Sequence, residues 1–259
     1  MEFYERVSGA RLHSSFIRPG GIAQDLPIGL INDISMFINQ FFFRLNELKD
    51  LLVGNRIWLN RLKNVGVVDK ANALSLGFSG VMLRGSGVFW DLRIADSYDG
   101  YEFLNFFIPI GLSGDCYDRF LVRVQEMYES CFIMHQCLDF LQVFVNLDDY
   151  FYNIDNHKIV PPARSFMKYN MEALIHHFKL YSEGFYVIKN EEYIVVEAPK
   201  GEFGVYIFSN DQNCPERCHI KAPGFLHLQG LSFMSLNSFL ADLVAVIGTQ
   251  DLVFGEVDR

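Results

Sequence analysis

Apolar residues recur at helical spacing along most of the chain. Between Ile28 and Val53, the residues Leu30, Ile34, Phe37, Phe41, Leu45, Leu48 and Leu52 form one stripe, with Arg44, Glu47, Lys49 and Asp50 off it. That pattern predicts a long amphipathic helix, opened by Asp25-Leu26-Pro27 and ended by Gly54. A second long helix is predicted over Ser113–Leu141, begun by Ser-Gly-Asp, with Tyr117, Phe120, Leu121, Val124, Met127, Cys131, Met134 and Leu138 as its stripe. A third covers Ser165–Gly184 and stops at its glycine. Shorter helices fit Asn55–Lys63 and Asp69–Leu76, the latter with Asp69 as its cap. Met1–Ile17 reads as an opening helix with a Glu2/Arg6 pair, broken by Arg18-Pro19-Gly20-Gly21. Gly77–Asp99 reads as loop, and Gln142–Arg164 as a linker closed by Pro161-Pro162. Tyr193–Ala198, Gly204–Phe208 and Cys218–Ile220 read as short strands between Gly- and Pro-rich turns. The expected class is mainly α with a small antiparallel β region, an α+β fold. Its helical part would run over 1–190. The β region, a last helix and a tail would occupy 191–259.

That last helix, Leu240–Ile247, is apolar nearly all round, which predicts burial within protein. Asn237 or Ser238 is placed to cap it, Asp242 falls in its first turn, and Gly248 is the expected stop. The segment TQDLVFGEVDR follows. It sets Asp251, Glu256, Asp258 and Arg259 among Leu252, Val253, Phe254 and Val257. Chain ends usually fray, but one this apolar is expected to tuck inward and carry its carboxylates along.

Half of the 259 residues are hydrophobic, and 25 are Phe. The longest apolar stretch, near Phe132–Leu147, is interrupted by His135, Gln136, Asp139 and Asn146. It falls short of the ~18 uninterrupted residues that span a bilayer. The excess of apolar residues suggests either a Phe-rich core or surface buried against partner subunits. A net charge of −9 argues against nucleic acid or an anionic membrane as the main ligand. The five cysteines (Cys116, Cys131, Cys137, Cys214, Cys218) form no CxxC pair and fit free thiols in a reducing compartment. Cys214 and Cys218 lack the matching second pair of a metal site, so no metal ligation by this chain is expected.

Gly85-Ser86-Gly87 has the glycines of a phosphate cradle without the context of a dinucleotide site, and reads as a tight turn. His176 and His177 are neighbours on a helix and face different ways. Glu172-x3-His176 shares a face but is not a HExxH motif. No repeat of about 20–50 residues is visible.

Three uninterrupted blocks carry a resemblance: EAPKGEFGVY (Glu197–Tyr206), IKAPGFLHLQG (Ile220–Gly230) and FLADLVAVIGTQDLVFGEVDR (Phe239–Arg259). Together with GARLHSS and RPGG near the start, they resemble the C-terminal half of the quinone-site subunit of respiratory complex I. In mitochondria this is NADH dehydrogenase subunit 7, the 49 kDa subunit, and bacteria carry its counterpart. The resemblance covers essentially the whole chain. It departs at Phe89, Ser97, Asn237-Ser238 and the stretch Asp148–His157, and none of these strikes the tail.

The resemblance implies a hydrogenase large-subunit-like helical bundle and a role in proton-pumping NADH:ubiquinone oxidoreductase. Asp251, Val253, Glu256 and Arg259 would line the chamber that takes the ubiquinone headgroup. Val253 would be an apolar wall and Asp251 and Glu256 poorly solvated carboxylates. Arg259 would hold a carboxylate. The plainer alternative is a salt-bridged tail that only docks. Arg11 and His13 would lie close to a [4Fe-4S] cluster held by the neighbouring subunit, with His13 taking up a proton as the cluster is reduced. The His and Tyr that bind quinone directly in the family precede this stretch, so no residue here is assigned to catalysis.

Implied partners are the cluster-bearing subunit, a membrane-arm subunit at the quinone entrance, other peripheral-arm subunits, and a separate polypeptide carrying the N-terminal half. The implied location is the matrix side of the mitochondrial inner membrane, with the gene in the organelle. Two other readings compete. A nickel–iron hydrogenase large subunit needs a pair of cysteine thiolates near each terminus, and no cysteine follows Cys218. A non-catalytic scaffold of the peripheral arm, or half of a split subunit, fits the same fold.

Overall fold

The computed structural model describes residues 1–144 and 153–258. The stretch 145–152, within the predicted linker, and Arg259 lie outside the described residues. About half the chain is helical, with two small antiparallel sheets.

The opening helix is much shorter than its pattern suggests. Helix α1 (Glu2–Ser8) ends where Gly9 turns left-handed at φ 80° and returns its N–H to Glu5 O, a conformation glycine adopts without steric cost. The chain then forms a two-residue hairpin, β1 (Ile17–Arg18) against β2 (Gly21–Ile22). Helix α2 (Leu30–Val53) follows the predicted stripe in part. Leu30, Ile38 and Leu45 are buried, while Phe37 and Leu48 are exposed. Asn55 caps α3 (Arg56–Leu62), its side chain accepting from Ile57 N at 2.9 Å.

Asp69 holds the N-cap position of α4 (Lys70–Ser75) as predicted, but its carboxylate is taken by the Asn72 side-chain amide and accepts from no backbone N–H of the first turn. The predicted loop 77–99 contains two single-turn helices, α5 (Val81–Arg84) and α6 (Leu92–Ala95). Gly85-Ser86-Gly87 is a structural turn, with Ser86 Oγ buried and donating to Val68 O at 2.8 Å. Helix α7 (Cys116–Phe144) starts after Asp115, whose side chain accepts from Asp118 N at 2.8 Å.

The third predicted helix begins later than its pattern. Asn170 accepts from Glu172 N and starts α8 (Met171–Ser182), leaving only a 3-10 turn at Phe166–Lys168. The strands are longer than predicted. β3 (Asn190–Ala198), β4 (Gly201–Ser209) and β5 (Arg217–Lys221) form one sheet in that order. Then come α9 (Pro223–Gln229), α10 (Leu231–Met234), α11 (Leu240–Gln250) and α12 (Phe254–Val257).

The chain divides into two compact units. The first joins Met1–Asn39, Cys137–Glu191 and Ile207–Arg217. In it the Phe3 and Phe37 rings meet edge to face at 5.6 Å, Arg6 pairs with Asp33, and Gln24 donates to Val7 O at 2.7 Å. The second joins Gln40–Gln136, Glu192–Tyr206 and Cys218–Arg259. Its core gathers Leu62, Val68, Ala73, Phe78, Met82, Leu83, Cys116, Met234 and Val246. One close backbone approach sets its geometry. Gly80, at φ 60°, lies so near Gly201 that a Cβ on Gly80 would stand 2.5 Å from Gly201 Cα. Ser79 Oγ accepts from Glu202 N at 3.1 Å beside it. This ties the turn before α5 to the start of β4. Among the described residues no helix is long and apolar enough to cross a membrane.

Candidate functional site

In the second unit, α11 delivers the tail. Its start is fixed by Asp242, which accepts from Phe239 N at 3.3 Å and from Arg61 at 3.1 Å. Neither Asn237 nor Ser238 caps the helix; Phe239 holds the capping position. Gly248 does not stop it either. The helix runs to Gln250, and Asp251 turns left-handed at φ 53°, ψ 48°, a region that Asp enters more readily than most residues. Nor is α11 buried all round: Val246 and Gln250 are fully enclosed, while Leu240 is 81% and Val244 67% exposed.

Beyond Asp251 the chain folds back through the one turn of α12. Glu256 is the anchor. Its carboxylate lies 2.7 Å from Lys200 Nζ and accepts from Gly224 N, at the start of α9, at 3.4 Å. Asp251 is exposed, and Val253 and Phe254 present apolar surface to solvent. Val257 borders a groove of about 610 Å³ walled by Cys218, Ile220, Ala222, Phe225 and Leu226. Thus Glu256 is docked by a salt bridge while Asp251 and Val253 face outward in this chain, and Arg259 lies outside the described residues.

His227 sits beneath this tail, fully buried. Its Nε2 accepts from Ser79 N at 3.3 Å, so the neutral ring carries its proton on Nδ1, which has no partner among the described residues. Gln250 donates to His227 O at 2.9 Å and joins α11 to α9. Burial lowers the His227 pKa to about 4.

A second cluster is charged and enclosed. Arg84, 2% exposed, donates to Glu197 at 2.8 Å and to Glu126 at 2.9 Å, and lies 3.5 Å from Asp91. Asp91 is held by Arg93 through two hydrogen bonds of 3.0 and 2.6 Å. Three carboxylates thus share two guanidiniums. Burial alone would raise Asp91, but the Arg93 contacts outweigh it and leave Asp91 below the usual carboxylate range. Burial raises Glu197, and Arg84 offsets this only in part. Burial opposes the charge of Arg84 as well, but Glu126 and Glu197 more than compensate and its pKa is raised.

Arg11 and His13 belong to the first unit and are both exposed. Arg11 comes within 3.9 Å of Glu5, a solvent-facing pair worth little. His176 lies 3.7 Å from Glu172, and its ring centroid is 6.4 Å from that of His157. Among the described residues no three His, Cys, Asp or Glu side chains are grouped so as to hold a metal ion.

The whole chain, residues 1–259, matches the family model described as the 49 kDa subunit of the respiratory-chain NADH dehydrogenase. The chain belongs to this family. It is 61% identical over 259 residues to the NADH-ubiquinone oxidoreductase 49 kDa subunit of Acanthamoeba castellanii, covering all of this chain and 63% of that protein. Similarity to an NADH-quinone oxidoreductase subunit of Rickettsia prowazekii is 55% identity, covering all of this chain and 65% of that protein. The mitochondrial 49 kDa subunit of Neurospora crassa is 55% identical, with 53% of its length covered. The chain therefore spans between about half and just under two thirds of the length of these relatives.

On sequence alone, Lys200, Arg84 and Glu197 have no assigned role, and His227 has no part in quinone binding. Lys200 and Glu197 sit in the EAPKGEFGVY block and His227 in IKAPGFLHLQG, so an ionisable side chain in each block was the available signal. Arg84 and Glu197 are 113 residues apart, and no local pattern pairs them.

Proposed function

We propose that the chain is a core part of the quinone-reduction module of a proton-pumping NADH:ubiquinone oxidoreductase. The observation that carries this reading is family membership over all 259 residues, at 55–61% identity to relatives named as NADH-quinone or NADH-ubiquinone oxidoreductase subunits. The intact tail supports assigning Asp251, Val253, Glu256 and Arg259 to the wall of the ubiquinone chamber. Ubiquinone supplies the redox chemistry, taking electrons from a [4Fe-4S] cluster that the neighbouring subunit ligates. This chain contributes shape, apolar surface and charge.

The roles differ along the tail. Glu256, docked by Lys200 and Gly224 N, fixes the course of the segment. Val253 and Phe254 offer the apolar face that a quinone ring and its isoprenoid chain require. Asp251 presents a carboxylate whose solvation would fall when a partner closes over it, favouring proton exchange there. In the first unit, exposed His13 is available to a neighbouring cluster, and reduction of that cluster would draw a proton onto the imidazole.

The partners in this reading are the cluster-bearing subunit, a membrane-arm subunit at the quinone entrance and other peripheral-arm subunits. The location is the matrix side of the mitochondrial inner membrane, with the gene in the organelle; the mitochondrial 49 kDa relative of Neurospora supports the compartment. The Lys200–Glu256 bridge favours a second reading, a peripheral-arm scaffold whose tail only docks.

Two measurements on the assembled complex separate the readings. With Val253→Trp, the chamber reading expects a KM for a short-chain ubiquinone analogue raised several-fold; an unchanged KM supports the scaffold. With His13→Met, the pH dependence of the cluster midpoint potential should flatten. An unchanged slope removes His13 from proton coupling.

A further inference from the structure

The point where α11 gives way to the tail is gripped from α7. Arg123 Nη2 donates to the carbonyl of Thr249 at 2.7 Å. That carbonyl is among the last four of α11, which have no partner inside the helix and carry its negative dipole end. A guanidinium is suited to such a position. Among the described residues Arg123 makes no carboxylate ion pair within 4 Å. The nearby Asp251 charge does act on it, within the general effect of burial.

One turn earlier, a second arginine braces the same residue through a thiol. Arg119 is fully buried and donates to Gly114 O, Gly66 O (both 2.8 Å) and Cys116 Sγ (3.2 Å), while its Nε has no partner among the described residues. Cys116 Sγ in turn lies 3.4 Å from Thr249 Oγ1, whose own proton goes to Val246 O at 2.9 Å. A guanidinium only donates, so the sulfur accepts from Arg119. The Thr249 hydroxyl is committed to Val246, so the thiol donates to Thr249. The bonds run one way, Arg119 to Cys116 to Thr249 to Val246, and Thr249 is held at both carbonyl and hydroxyl.

We propose that Arg123 is the positioning residue of the tail, with Cys116 and Arg119 as its brace: together they fix Thr249, and so the direction in which Asp251–Asp258 leaves α11. The value of that direction for quinone rests on the function proposed above; the grip itself does not.

The test is hydrogen exchange of the peptide 250–258 in the assembled complex. Arg123→Met should speed exchange there by roughly tenfold or more, as loss of a hydrogen bond from a charged donor predicts. Peptides over α4 should stay unchanged, and Arg123→Lys, which keeps the charge without the fork, should fall between. Cys116→Ser, which keeps a donor, should lie closer to wild type than Cys116→Ala. If the thiol merely filled space, Ala would be the milder change, because it buries no hydroxyl.

Equal exchange in all these variants, or a rise spread evenly over every peptide, overturns the proposal. The KM for a short-chain ubiquinone analogue, measured on the same samples, is the separate arm. Faster tail exchange with an unmoved KM leaves the grip standing and counts against the quinone-chamber reading alone.

Discussion

Lys200 Nζ stands 2.7 Å from Glu256 Oε2, with both side chains less than a fifth exposed. The pair joins the turn between β3 and β4 to the tail, two of the sequence blocks that carry the resemblance. Its partial burial separates it from the solvent-facing pairs of α1 and α2, which contribute little. Glu256→Gln leaves Lys200 half-desolvated and uncompensated. It should lower the unfolding free energy by about 1–2 kcal/mol. Lys200→Met should cost a similar amount. The double variant should cost less than the sum of the two, by about 1 kcal/mol. Denaturant midpoints of the four proteins check this; strictly additive losses would mean the contact contributes nothing.

Arg84 carries more. It stands between Glu126 and Glu197, and those carboxylates lie behind a 2% exposed guanidinium. Arg84→Met strands buried carboxylates and should cost about 3–5 kcal/mol. Glu197→Gln should cost only about 1 kcal/mol or less, because burial already opposes its charge and the amide oxygen still accepts from Arg84. Thermal unfolding gives the order of the two variants, and equal losses would contradict this account of the cluster.

His227 gives the fold an acid-sensitive point. Its pKa is about 4 in the folded chain, against 6.5 for the unperturbed group. Between those values the unfolded state binds the proton and the folded state does not, so stability falls as pH drops from 6.5 towards 4. A shift of this size corresponds to ~3 kcal/mol lost across that window. His227→Gln keeps an acceptor for Ser79 N and should flatten that part of the profile. Denaturant unfolding at a series of pH values reads the slope, and an identical slope in the variant would assign the loss to other groups.

Much of the architecture was legible because it is written in local periodicity. The long α2 and α7 helices, the three strands and the Asn55–Lys63 helix emerged where the pattern put them, though Phe37 and Leu48 of the α2 stripe are exposed and the strands run longer. The failures share a cause, competition from a partner the pattern does not show. The opening helix stops at Gly9, although apolar spacing continues to Ile17. Asp69 keeps the N-cap position of α4 but gives its carboxylate to the Asn72 amide, and Asn170 claims the start of α8. The end of α11 passes Gly248 because Arg123 holds the Thr249 carbonyl and Gln250 is bound to His227 O.

The candidate site rests on the resemblance. Its residue types (two carboxylates, a valine, an arginine, a histidine) are unremarkable in isolation. Composition left a Phe-rich core and apolar surface shared with partners both open, and the exposed Leu240, Val244, Val253 and Phe254 favour the second. The contacts that organise the tail, from Lys200, Arg123 and Cys116, come from elements 56, 126 and 133 residues distant in the chain. No local reading reaches that far.

The central claim is that this tail faces bound quinone in the assembled enzyme. Its most direct test is photolabelling of the complex with a ubiquinone analogue carrying a photoreactive group on the ring, followed by peptide mapping. The account predicts label within residues 251–258, suppressed by excess unlabelled ubiquinone. Suppressible label confined to other subunits, with none in that segment, would contradict it.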